Sequence, residues 1–98
     1  MTAPTVCALA ELADHPFVTV TARITAVDLT HEGTTAEWAT LTLTDDNGLE
    51  ATARAYSVTW KLIAGRVRPG VTVTLSGETA TDMYGTFFAV HTLHEVRP

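Results

Sequence analysis

Residues able to do chemistry are few in this chain, and most sit in patterns that argue against a reaction centre. His91 and His94, in HTLH, are of a type that binds metal. Three residues apart on a strand, however, they are expected to point to opposite faces, and no cysteine pair or third ligand with usable spacing accompanies them. Asp45 and Asp46 form a carboxylate pair of the kind used in general acid–base work, but within DDNG they read as turn chemistry. Cys7 is the single cysteine, so it makes no internal disulfide, fits a reducing compartment and reads as a small buried apolar residue without a base to activate it. Nucleophile motifs, phosphate-cradling glycine loops and a base-plus-orienter set are absent. The expectation is a non-enzymatic chain with no metal and no cofactor, whose chemistry lies in how it binds.

The elements that position its side chains follow from periodicity. Val6, Leu9, Ala10 and Ala13 fall at i, i+3, i+4 and i+7, one stripe of a helix over about 5–14, with Pro4 at its entry and His15-Pro16 at its exit. From Phe17 the period becomes two. Val18, Val20, Ala22 and Ile24 share one face, whereas Val27 and Leu29 take the opposite parity, which predicts a bulge near Thr25-Ala26 that bends one long strand. After the polar loop HEGTT, Ala39, Leu41 and Leu43 point inward and Trp38, Thr40, Thr42 and Thr44 outward. Asp46-Asn47-Gly48 predicts a tight hairpin, because Asn and Gly tolerate positive φ. The next strand places Leu49, Ala51, Ala53 and Ala55 inward, with Glu50, Thr52, Arg54 and Tyr56 outward.

SVTWKLIAG then predicts a short helix with Ser57 as N-cap and Gly65 as stop, in which Trp60 plugs the end of the core. Pro69-Gly70 turns the chain into VTVTLSG, where Val71, Val73 and Leu75 alternate inward. The loop TATDMYG leads to a last strand that buries Phe88 and Val90, then Leu93 and Val96 after a local phase shift. Nineteen threonines concentrate at outward strand positions, where a β-branched side chain suits the pleat.

Ninety-eight residues, 46% apolar and 17% charged, make one domain with a modest core and exclude a disordered chain. No apolar run is long enough to span a bilayer and no signal-peptide pattern opens the chain, so a cytoplasmic protein without membrane contact is expected. Net charge is −5 but uneven. Residues 1–50 hold eight acids against Arg23 alone, giving −7, while residues 51–98 hold five bases against three acids, giving +2. An acidic total opposes tight non-specific binding to nucleic acid.

Strand, strand, strand, helix, strand, strand is the order of an all-β, five-stranded Greek-key barrel of the OB-fold type. VTVTARITAV, ATLTLTDDNGLEATARAY, RPGVTVTLSGETA and FAVHTLHEV resemble the OB-fold nucleic-acid-binding family of the replicative polymerase alpha subunit and the tRNA anticodon-binding domains. Leu41, Leu43, Asp45 and Gly48 match that family's second strand and turn, and Gly70 and Gly77 its fourth strand. The likeness spans about 17–96. It departs at Ala22, where family members often carry glycine, and at Ala51, Ala53 and Ala55. Those alanines require Trp60, Phe88 or the N-terminal helix to fill the barrel.

The resemblance implies a ligand crossing the second and third strands, between loop 31–35 and loop 82–85. That points to Trp38, Thr40, Thr42, Thr52, Arg54 and Tyr56, with Tyr84 and Phe87 as stacking candidates and Arg23 and Lys61 as further cations. Each has a plainer reading. Trp38 can pack under the N-terminal helix or a loop, Tyr56 reads better as a core or helix-packing residue, and Arg54 reads as a solvated strand residue. The first expectation is binding of single-stranded nucleic acid, DNA before RNA, by stacking and a few cations. The second is a protein-interaction OB domain, with a protein partner or a second copy, in a replication, repair or translation assembly.

Overall fold

The computed structural model describes residues 17–83 and 85–98; the helix expected over 5–14, Cys7 and Tyr84 lie outside the described residues. Five strands and one helix follow in order: β1 (Phe17–Thr30), β2 (Trp38–Thr44), β3 (Glu50–Ala55), α1 (Ser57–Ile63), β4 (Thr72–Asp82) and β5 (Gly85–Arg97). They close into a barrel in the order β1-β2-β3-β5-β4, with β1 pairing to β4 across the seam. Every pair is antiparallel except the short β3–β5 contact, where Ala53 meets Phe88 and Arg54 meets Ala89.

β1 is shared between the two halves of the barrel. Phe17 to Arg23 pair with β4, Arg23 to Thr30 pair with β2, and the register slips between Ile24 and Ala26. The slip is the bulge that the parity change predicts, and it turns the strand from one neighbour to the other. Inward residues from every strand meet in one core: Val20, Ile24, Leu41, Leu43, Val73, Leu75 and Phe88 are among its fully buried side chains. Small Ala53 and Ala55 are both fully buried, and Ala53 is flanked by the large side chains of Leu41 on β2 and Phe88 on β5. Gly77 on β4 is required by packing, since a Cβ there would collide with the Ala89 carbonyl of β5.

The β2–β3 turn falls where expected, but of the Asn47-Gly48 pair only Gly48 takes positive φ. Asp45 Oδ1 accepts from the N–H groups of Asn47 (2.9 Å) and Leu49 (3.0 Å), and Gly48 takes φ +79°. Leu49 is a correction: at 43% exposure it belongs to the turn, and inward alternation begins at Ala51. Leu29, near the end of β1, is likewise partly exposed.

α1 is too short to be stable alone and is held by Trp60 and Ile63, both buried against the barrel. Its N-cap position is Tyr56 in extended conformation, with no side-chain cap, so Ser57 is not the cap; the serine already lies in the first turn. The helix ends at Ile63 with Ala64 still helical, and Gly65 takes no positive φ, so Gly65 is not a left-handed stop.

Candidate functional site

Outward positions of β2 and β3 form a continuous face. Thr40 stands beside Arg54 and Thr42 beside Thr52, a short field of hydroxyls between β-branched methyls. At one end of this field the rings gather. Trp38 opens β2 and Tyr56 leaves β3, and their ring centroids lie 5.1 Å apart at 40°. Phe87 arrives from β5 because the parallel β3–β5 pairing sets Phe88 inward beside Ala53 and leaves its neighbour facing out.

Arg54 joins these rings. Its guanidinium carbon lies 4.1 Å from the Phe87 ring centroid and 5.8 Å from that of Trp38, both within cation–π range. Nη1 donates to Asp82 Oδ2 at 2.8 Å and to the Tyr56 hydroxyl at 3.3 Å. The Tyr56 hydroxyl first, and Asp82 next, raise the guanidinium pKa above its ordinary value, so its charge is permanent. The side chain is only 20% exposed, and its Nε is buried with no hydrogen-bond partner among the described residues.

The loop beside this cluster is pinned rather than free. Glu37 accepts from Gly33 N–H at 2.9 Å and from Trp60 Nε1–H at 2.7 Å, which ties loop 31–37 to α1. Those two donors, Gly33 first, hold the Glu37 carboxyl below its ordinary range.

The structure thus brings together Trp38, Thr40, Thr42, Thr52, Arg54, Tyr56 and Phe87. Tyr56 is 42% exposed, so it is not a core residue; its ring meets Trp38 at a tilt, and it stands at the N-cap position of α1. Arg54 is paired and stacked rather than solvated. Arg23 does not join them: it lies opposite Thr44 and Thr72, seven residues along β1 from Thr30 and hence roughly 23 Å from the aromatic end. It lines a separate groove of about 600 Å³ with Arg97, Asp45 and Asp46. Lys61 is exposed in the last turn of α1.

Two residues escaped the reading of the site. Asp82 was expected only as a flank of loop 82–85, and Glu37 not at all. Asp82 meets Arg54 28 residues away, and Glu37, though it also caps the local Gly33 N–H, meets Trp60 23 residues away.

His91 and His94 require a correction. β5 carries two bulges, one between the pairs Gly77–Val90 and Ser76–Thr92, the other between Leu75–Leu93 and Thr74–Glu95, and each histidine is the extra residue. Two breaks in alternation put both side chains on the outer face: His94 Nε2 bonds Ser76 Oγ, and His91 Nε2 lies 3.9 Å from Glu78 Oε2. Among the described residues no three His, Cys, Asp or Glu side chains are grouped to hold a metal. No helix among them is long and apolar enough to cross a membrane.

Strand order, helix position and this outer face define an OB-fold domain. Solved structures agree. The second OB-fold domain of replication protein A from Methanococcus maripaludis is similar at TM-score 0.68 and 19% identity, over 92% of this chain and 93% of that one. A chain of the S. pombe Stn1–Ten1 complex is similar at TM-score 0.64 and 19% identity. That likeness covers 86% of this chain, which spans 60% of the other's length. By sequence, no protein-family model and no curated protein matches the chain.

Proposed function

We propose that this OB-fold domain is a non-enzymatic binder of single-stranded nucleic acid, DNA in the first instance. Bases stack on Trp38, Tyr56 and Phe87, Arg54 takes a backbone phosphate, and Thr40, Thr42 and Thr52 offer hydroxyls along the path. The observation that carries this reading is the gathering of three partly exposed rings and a guanidinium on the β2–β3–β5 face. Each stacked base contributes on the order of 1–3 kcal/mol without regard to its identity, so rings beside one cation suit a strand of mixed sequence. Likeness of fold to a domain of replication protein A supports the same reading, as does the resemblance of the strand motifs to polymerase alpha-subunit and anticodon-binding OB domains. Tyr84, beside Asp82–Met83 in the chain, is a further stacking candidate, and Lys61 an outlying cation.

A titration of labelled oligonucleotide at low and moderate salt tests it. Affinity whose logarithm falls linearly with the logarithm of salt supports the interface, and absence of binding at low salt ends it.

One observation favours a second reading, a protein-interaction domain. Val58 and Leu62 stand four apart on α1, 73% and 77% exposed, an apolar pair turned away from the barrel. Light scattering across a concentration series shows whether a second copy covers that pair.

A further inference from the structure

Arg54 is held in a way that leaves its hydrogen bonding incomplete. A guanidinium offers five N–H donors in a planar fork that matches two oxygens at once. Here Nη1 serves both Asp82 and Tyr56, and Nε is buried without an acceptor among the described residues. Asp82 ends β4 opposite Gly85, at the mouth of the β4–β5 turn, and its side chain is one-third exposed. Its partly exposed carboxylate bonds the one cation that, among the described residues, lies against the aromatic rings.

We propose that Asp82 is an internal stand-in for phosphate, a latch that makes the site demand a stacked base and a phosphate together. This rests on the nucleic-acid reading above. A phosphodiester must displace a carboxylate that is always present at intramolecular concentration, so an anion arriving alone competes poorly. A strand whose bases already lie on Trp38 and Phe87 delivers its phosphate at comparable local concentration, and its two non-bridging oxygens match the fork that one carboxylate oxygen meets at one point. Asp82 is therefore a specificity-determining residue that discriminates against polyanions lacking bases.

The test compares a labelled oligothymidylate of about fifteen nucleotides, the upper end of what one OB fold covers, with an abasic strand of equal length. Asp82→Asn is expected to tighten binding of the oligothymidylate by about threefold and of the abasic strand by about tenfold, narrowing the preference for bases. In an Arg54→Gln background, Asp82→Asn is expected to change neither. Asp82→Ser repeats the measurement if Asp82→Asn lowers the unfolding midpoint enough to depopulate the fold. Unchanged affinities in folded Asp82 variants overturn the latch while leaving the interface standing. Equal gains with and without Arg54 also overturn it, since they report only the loss of a negative charge. If neither wild type nor variant binds the oligothymidylate at low salt, the interface falls and the latch with it.

Discussion

Gly77→Ala tests the barrel on which the site depends. A Cβ built on Gly77 overlaps the Ala89 carbonyl oxygen and lies 2.9 Å from its carbon and 3.2 Å from His91 N, all of them backbone atoms. No rotamer relieves the clash, so β5 must retreat by about an ångström, which stretches an N–H···O bond of about 2.9 Å beyond useful length. The residues displaced include Gly77–Val90 and Glu78–Ala89, the pairs next to the bulge at His91. Two or three ladder bonds weakened at about 1–1.5 kcal/mol each, with strain in the bulge, give an expected loss of about 3–5 kcal/mol, a large part of a small domain's stability. Urea unfolding followed by tryptophan fluorescence measures it. Gly65→Ala is the control: its Cβ would meet nothing within 4 Å and its φ is not positive, so it stays within about 1 kcal/mol of wild type. If Gly77→Ala unfolds within about 1 kcal/mol of wild type at unchanged slope, β4 and β5 do not approach as described and the register reasoning fails.

Trp38→Ala is expected to weaken oligonucleotide binding about fivefold to a hundredfold, the worth of one stacked base; fluorescence anisotropy reads it, and an unchanged Kd removes Trp38 from the interface. Glu37 should confer an acid limb on stability. Its pKa is lowered by Gly33 and Trp60, so its contribution is complete above the unfolded carboxylate value and fades as pH falls through the lower folded value. The urea midpoint followed from neutral to acid pH should therefore decline less steeply in Glu37→Gln, and identical profiles would refute the assignment. Leu62→Glu, on the exposed face of α1, should leave oligonucleotide affinity unchanged while abolishing any self-association seen by light scattering.

The barrel was legible because its signals are local. Two-residue alternation marked each strand, the break after Ile24 marked the bulge, and Asp45 to Gly48 marked the turn. The outward threonines and Arg54 were legible for the same reason. Local alternation could not show that β5 carries two bulges, which is why His91 and His94 were expected on opposite faces. Nor could it show where Arg54 directs its charge, because Asp82 lies 28 residues on, at the end of β4, which is separated from β3 by β5 in the barrel. Leu49 misled for a smaller reason: the Asp45 side chain claims its N–H, so the residue belongs to the turn although its parity suits the strand.

The distribution of charge limits what the proposed interface can bind. Asp45 and Asp46 cluster at the β2–β3 turn and Glu50 opens β3 opposite Thr44, so the far end of the face repels phosphates. Asp28 stands beside Thr40, the strand neighbour of Arg54. Among the described residues, Arg54 is the one cation against the rings, and it is already engaged. In the proposed interface, stacking must therefore carry the affinity. Two or three bases at about 1–3 kcal/mol each total about 2–9 kcal/mol, so with one phosphate added and the loss of strand freedom subtracted the Kd is about micromolar at its tightest. One neutralised phosphate makes the logarithmic salt slope about −0.7, far shallower than for a basic groove. A micromolar site holds a strand effectively when tethered to a second one, through avidity rather than new contacts. The exposed apolar pair on α1 offers a surface for such pairing, and on that ground the two functional readings describe complementary faces of one domain.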